Sequence, residues 1–388
     1  MPQLKIPAIY MRGGTSKGVF FRAADLPKDP AERERILLRV IGSPDPYGKQ
    51  TDGMGAATSS TSKIVILSRS TRPDSDVDYL FGQVAIDRPL IDWSGNCGNL
   101  TAAVGPFAVA EGWAQAPANG EALVRIWQQN ISKRILAHVP VRDGAVVEEG
   151  DFMLDGVTFP AAEIRIEFLD PGGMGEEGDA SAAMFPTGRL RDRLEVPELG
   201  VVEATLINAG NPTIFVSPSA VGLKGTELQA AVNGNAEALR KGEAIRAAGA
   251  VAMGLAKTRE EASHVRLHVP KIAFVSRPQA YVASSGKGVA EGDIDLTIRM
   301  LSMGQLHHVI TGTGAIATAV ASAIEGTVAH AARRAGADPL KTRLGHPSGV
   351  LAVGAQVKSA GREWQVERVV MSRSARRLME GWVRAPAA

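Results

Sequence analysis

Asp92-Trp93-Ser94-Gly95-Asn96-Cys97-Gly98-Asn99-Leu100-Thr101-Ala102-Ala103-Val104-Gly105 contains the single cysteine of the 388-residue chain. The first half is a tight polar turn rich in Gly and Asn, and the second is a run of small apolar residues with helical character. The stretch therefore predicts a helix whose first turn carries the thiol, where backbone N–H groups and the positive end of the helix dipole converge. Such a setting favours thiolate over thiol. The glycines leave the backbone bare enough for a carboxylate to approach the same N–H groups. A lone buried cysteine acting as a small hydrophobe is the competing reading; the polar, glycine-rich frame argues against it.

Upstream, strand-like patterning over Val77–Ile86 and Leu90–Trp93 delivers the chain to this turn. Before that, Ser62-Lys63-Ile64-Val65-Ile66-Leu67 reads as a buried strand with a lysine at its mouth. Lysine is seldom buried without a task, and an ammonium flanked by apolar residues and small hydroxyls is pushed toward its neutral form. Lys63 is thus a candidate base. Ser60-Thr61-Ser62-Lys63 also fits the Ser-x-x-Lys pattern of acyl-transferring serine enzymes, but the companion Ser-Asp-Asn and Lys-Thr-Gly motifs do not occur.

The N-terminal Leu4–Met11 reads as a strand running into Arg12-Gly13-Gly14-Thr15-Ser16-Lys17-Gly18, after which Val19–Phe21 resumes the strand pattern. A phosphate-binding Walker loop is rejected, because Lys17 is followed by Gly18 rather than Ser or Thr. Asp29–Ile41 is helical with Pro30 near its start, and the polar segment 42–61 is long enough to expect a functional role. Past the central helix, 122–127, 134–141, 145–147 and 157–168 read as strands, 170–182 as a mobile Gly- and acid-rich linker, 201–208 as a strand, 226–255 as helical, and 272–275 and 294–301 as strands.

A shift of 214 positions lays Cys97-Gly98-Asn99-Leu100 on Thr311-Gly312-Thr313-Gly314 and Glu111-Gly112 on Glu325-Gly326. This echo predicts two domains of like construction, each with a glycine turn opening a small-residue helix. Thr311 stands where Cys97 stands in the first half, and a hydroxyl carries protons poorly at neutral pH. Lys63 is therefore the expected second acid/base group, placed with Cys97 on opposite sides of a substrate.

The totals agree with a soluble globular protein of two or three domains: 45% hydrophobic, 22% charged, and 43 basic against 41 acidic side chains for a formal net charge of +2. No like-charge block suggests nucleic acid, and no apolar run approaches the length of a membrane span. One cysteine excludes an intrachain disulfide, and the reading is a cytoplasmic protein. Arg373 and Arg376 read as surface charge. The His307-His308 pair lacks partners at ligand spacing, so no metal is expected.

Met11-Arg12-Gly13-Gly14-Thr15-Ser16-Lys17-Gly18, Gly42-Ser43-Pro44-Asp45-Pro46, Asp52-Gly53-Met54-Gly55, Thr61-Ser62-Lys63, Asn96-Cys97-Gly98-Asn99 and Met371-Ser372-Arg373-Ser374-Ala375-Arg376 together resemble the PrpF family over nearly the whole chain. The resemblance implies an α+β fold of the diaminopimelate-epimerase type, with two similar domains, each a β-barrel-like sheet around a central helix. The expected division is residues 1–184 and 185–369, with the segment from about 370 to 388 able to return to the first domain. It also implies cofactor-independent isomerisation of aconitate-like tricarboxylates, above all 2-methyl-trans-aconitate to 2-methyl-cis-aconitate in propionate breakdown. A sister branch isomerises 4-oxalomesaconate. Lys63 and Cys97 match the family's acid/base positions, and Thr311 departs from the epimerases' second cysteine.

The expected carboxylate cradle is Gly14, Thr15, Ser16 and Lys17 with Gly98 and Asn99, joined by Gly312, Thr313 and Gly314 and, at second rank, Asn211, Ser302 and Met303. The expected partners are the tricarboxylate itself, an aconitase-like 2-methylcitrate dehydratase acting on the product, and a second copy in a homodimer. A non-catalytic accessory protein that binds such an acid is the alternative of another class.

Overall fold

A computed structural model describes residues 3–173, 183–360 and 363–387. The chain divides into two compact units, one formed by Met1–Ile166 with Arg373–Ala388 and the other by Glu167–Ser372. The linker expected over 170–182 lies largely outside the described residues.

In the first unit, β1 (Gln3–Gly13) and β2 (Ser16–Arg22) form a hairpin closed between Gly13 and Ser16. The turn is tighter than the seven-residue loop expected from 12–18, because Gly14 takes a positive φ of 52° that glycine adopts at little cost. β2 runs parallel to β3 (Lys63–Arg69), and β3 pairs antiparallel with β4 (Val77–Val84) in a register that sets Lys63 opposite Gln83. The closing strand Ala375–Pro386 lies antiparallel on β1.

The helix α1 (Pro30–Ile41) starts on Asp29, whose carboxylate accepts from Glu32 N–H at 2.8 Å, and buries Ile36, Leu37, Val40 and Ile41 against Phe21, Ile64 and Ile66. On the other side, α2 (Thr101–Ala110) packs against β1 and the strands Gly120–Gln128 and Lys133–Arg142. Its residues Thr101–Val109 are buried, and at Gly105 a Cβ would come within 2.7 Å of Val139. Small residues are needed because the helix is surrounded. Of the strand expected over 157–168, only the end is regular, as Ile164–Leu169.

The second unit repeats the plan. β5 (Gly200–Ala209) and β6 (Asn211–Val216) form a hairpin, β6 runs parallel to β7 (Lys271–Ser276), and β7 pairs antiparallel with β8 (Leu296–Ser302). The outer helix α3 (Ala236–Ala252) packs Ala238 and Ile245 with Leu206, Ile214 and Phe274. The continuous helix expected over 226–255 is broken: Gln229–Asn233 forms a separate short helix, and Asn235 caps α3 by accepting from Ala238 N–H. The inner helix α4 (Gly312–Ala323) is buried from Gly312 to Ser322 and packs against β5, β6 and the strand Gly349–Ala360. Each unit is a sheet with an amphipathic helix outside and a small-residue helix within.

Candidate active site

Lys63 reaches its position through the long polar segment before it. Gln50, buried within that segment, donates to Ser43 Oγ at 2.8 Å and accepts from Ala57 N–H at 2.8 Å and Ser62 Oγ at 2.7 Å. Asp45 holds the outer bend by accepting from the N–H groups of Tyr47 and Lys49, and these bonds keep its carboxyl below the ordinary range. The segment is thus a braced lead into β3.

Lys63 is 5% exposed. Its Nζ donates to Gln83 Oε1 at 2.7 Å and lies 4.8 Å from the centre of the Phe81 ring. Gln83 Nε2 donates to Ser62 C=O at 3.1 Å, which turns the amide so that its oxygen faces the amine. Burial lowers the Lys63 pKa, while a hydrogen bond to Cys97 and the charge there pull it back up.

Cys97 is 6% exposed. Leu100 N–H points at its sulfur at 3.5 Å, and Thr101 N–H, Thr101 Oγ1 and Tyr79 OH all donate to its carbonyl. The thiol therefore stands over the first turn of α2, as the glycine-rich turn predicts. Lys63 and Cys97 are near enough within one unit for charge at the sulfur to act on the amine.

The glycine hairpin closes on this pair. A Cβ on Gly13 would come within 2.7 Å of Asn99 C=O, one on Gly14 within 2.5 Å of Asn99 Oδ1, and one on Gly18 within 2.8 Å of Lys63 C=O. Asn99 Nδ2 donates to Thr15 Oγ1 at 3.1 Å, and Arg373 Nε donates to Asn99 Oδ1 at 3.1 Å. Ser16 Oγ is buried with no hydrogen-bond partner among the described residues. Lys17 turns away, its ammonium 5.4 Å from the centre of the Tyr10 ring.

Arg373 overturns the surface reading. It is 2% exposed, and burial lowers its pKa to about 10 against the opposing pull of charge at Cys97. Ser374 C=O beside it accepts from Gly14 N–H at 2.9 Å and from Arg12 Nη1 at 2.9 Å, so the chain's late return locks the hairpin. Arg373 lies in a stretch that carries the family resemblance yet reads as surface charge, and Gln83 has no motif around it, so both were missed as site residues.

The remaining candidates lie in the second unit. Asn211 Nδ2 donates to Thr313 Oγ1 at 3.1 Å and lies 3.4 Å from His268 Nε2. Ser302 Oγ accepts from Lys271 Nζ at 3.0 Å, and Met303 sits in the following turn with a φ of 54°. Thr311 Oγ1 accepts from Gly314 N–H at 3.0 Å and so caps α4, beginning at Gly312. His307 and His308 stack with ring centres 4.8 Å apart. Lys271 and His268 are absent from the sequence reading, and Lys271 Nζ lies 3.1 Å from His268 Nδ1.

With this geometry in view, the family model described as PrpF protein matches residues 3–386. The chain belongs to the PrpF family. A 2-methyl-aconitate isomerase of Cupriavidus necator is 60% identical over 394 residues, covering 100% of this chain and 98% of the relative. The crystal structure of a methylitaconate-delta-isomerase is 39% identical, with a TM-score of 0.77 over 99% of this chain and 96% of that one. A structure described as a probable proline racemase from Agrobacterium radiobacter K84 shares 13% identity at a TM-score of 0.55, covering 99% and 93% of the two chains. This last likeness concerns the fold alone. The PrpF-family chain thus has the two-domain epimerase-like α+β fold, and its close relatives are isomerases. No helix among its described residues is long and apolar enough to cross a membrane.

Proposed function

We propose that this PrpF-family protein is a cofactor-independent isomerase of aconitate-like tricarboxylates, converting 2-methyl-trans-aconitate into 2-methyl-cis-aconitate in the 2-methylcitrate route of propionate breakdown. The observation that carries the reading is the buried, interacting Lys63 and Cys97 beside a glycine hairpin. The activity named for the relative of 60% identity supports the choice of acid. The free cysteine supports a reducing, cytoplasmic setting, and the product suits an aconitase-like dehydratase.

The methylene of such an acid lies between a carboxylate and a carbon–carbon double bond. Lys63, in the neutral form that burial favours, takes one methylene proton, and the electron pair spreads over the allylic carbons and their carboxylates. The former double bond then rotates. Lys63 returns the proton from the same face, and the new alkene geometry is fixed. Cys97, close enough to act on the amine, shares the proton and steadies the charge through both steps. The group of donors around it suits the polyanion: Arg373 contributes positive charge, Ser16 a hydroxyl with no partner among the described residues, and Gly98 and Asn99 N–H groups at the helix start.

The test is proton NMR of 2-methyl-trans-aconitate with purified enzyme in deuterated buffer. Formation of the cis acid with deuterium at the methylene is expected, and faster turnover than with 4-oxalomesaconate. Absence of both exchange and isomerisation would refute the reading and favour an accessory binding protein.

A further inference from the structure

Three polar side chains stand abreast in the first unit's sheet. Lys63 on β3 is opposite Gln83 on β4, and Gln83 is opposite Asp92 on the two-residue strand Ile91–Asp92. Residues opposed in antiparallel strands share a face, so a buried amine and a buried carboxyl group occupy the ends of one row with an amide between them. Neighbouring strands are about 4.8 Å apart, which sets the two outer backbones roughly 10 Å from each other. A lysine side chain spans much of that gap. An amine and a carboxylate in contact form an ion pair that holds the proton on nitrogen, the opposite of what a base requires.

The hydrogen bonds take another course. Lys63 Nζ donates to Gln83 Oε1 at 2.7 Å, while Asp92 Oδ1 accepts from Ser94 N–H at 2.9 Å and from the Ser94 hydroxyl. Which end of the amide meets the amine is fixed by its second bond. Gln83 Nε2 donates to Ser62 C=O at 3.1 Å, and a carbonyl can only accept, so the amide does not turn its N–H groups toward the amine. Ser62 is itself held: its hydroxyl donates to Gln50 Oε1 at 2.7 Å, and its C=O also accepts from Val84 N–H at 3.0 Å.

An oxygen in this place engages one N–H of the amine and leaves the nitrogen lone pair to point elsewhere. At the matching node of the second unit, Lys271 meets the hydroxyl of Ser302, a group that both donates and accepts. Around Lys63 the other titratable or charged groups on packed elements are Cys97 before α2, Tyr79 on β4 and Arg373 on the returning chain. Cys97 acts on the amine directly, and Tyr79 and Arg373 interact with charge at Cys97.

We propose that Gln83 is a positioning residue for Lys63, a neutral spacer that keeps the amine from pairing with Asp92 and leaves its lone pair free for the substrate. The proposal rests on the function given above, in which Lys63 is the base.

The experiment reads Lys63 in two ways on the full chain. One is an NMR titration with isotope-labelled lysine, the Lys63 signal being the one lost in Lys63→Met. The other is the pH profile of deuterium exchange from 2-methyl-trans-aconitate. Gln83→Glu keeps the shape and sets a negative charge against the amine, so both midpoints should rise by about one pH unit or more. Gln83→Met keeps the bulk and removes the acceptor. Its kcat at the high-pH plateau should fall roughly 10- to 100-fold with KM within about threefold of wild type, and neither midpoint should rise.

An unmoved Lys63 midpoint in Gln83→Glu, or a plateau in Gln83→Met within about twofold of wild type, overturns the proposal. So does a KM that rises as far as kcat falls, the mark of a general defect. If Gln83→Glu does not fold, the kcat and KM of Gln83→Met decide. Active wild type with unmoved midpoints removes the role of Gln83 and leaves the proposed function standing. A wild type without exchange defeats that function, and a raised NMR midpoint in Gln83→Glu then still assigns Gln83 as the holder of the amine.

Discussion

Cys97 and Thr311 hold the same post in the two units and do different things there. Each side chain accepts from the N–H three residues further on, Leu100 at 3.5 Å and Gly314 at 3.0 Å. In the second unit the acceptor is a hydroxyl, and its work is a helix cap. The first unit has a thiol instead, acting on a lysine whose charge burial disfavours. Duplicated geometry therefore does not duplicate chemistry. In the proposed reaction the thiol works beside the lysine, whereas the hydroxyl at the twin position caps its helix.

The sharpest way to break this contrast is to remove the amine on the reactive side. Lys63→Met is expected to lower deuterium exchange from 2-methyl-trans-aconitate by about a thousandfold or more, the scale of a lost general base. Turnover within tenfold of wild type would show that Lys63 is not the base. Cys97→Ser comes next, with a loss of roughly a hundredfold, because a hydroxyl accepts the amine's hydrogen bond but shares its proton poorly. Adding Thr311→Cys to that variant should restore nothing; recovery would mean that the two posts are interchangeable.

A pH series sharpens the same comparison. Burial sets the Lys63 pKa below its ordinary 10.5, and the neutral amine is the base, so exchange should rise about tenfold per pH unit and level off before pH 10.5. The sign for stability agrees. Between the lowered value and 10.5 the unfolded chain binds more protons, so the Lys63 contribution to stability increases as pH rises through that window. A rate that falls over this range would contradict an amine base.

Arg373→Met removes a buried positive charge that interacts with Cys97. Alkylation of the sole cysteine by iodoacetamide at pH 7 should slow several-fold, with the thermal midpoint measured alongside to separate charge from packing. The smallest effect belongs to the supporting side: Thr311→Ala should cost about 1 kcal/mol of stability in urea unfolding, the usual worth of such a cap, and leave alkylation of Cys97 unchanged.

Much of this was legible because the informative residues are close in sequence. The Gly13-Gly14 turn, the lysine before an apolar run and the cysteine before a small-residue helix each announce local geometry, and all three meet in one unit. What escaped was carried by distance. Arg373 joins Asn99 across 274 positions, and nothing around it in sequence distinguishes a buried guanidinium from a surface one.

Lys271 was hidden by a difference in loop length. From lysine to helix turn there are 97 − 63 = 34 positions in the first unit and 311 − 271 = 40 in the second, so the shift that aligns the turns misaligns the lysines. Strand register ignores that loop and restores the match.

By itself the amino-acid order determined the elements and their chemical character. Positive-φ glycine, apolar runs, and a thiol set against small residues act over a few bonds and need no distant partner to be read. Only tertiary structure decided that Lys63 and Cys97 come near one another within one unit, that Arg373 is buried beside Asn99, and that a second lysine occupies the twin position. Those outcomes depend on which strands pair and in what register, a choice made by the packing of the whole sheet.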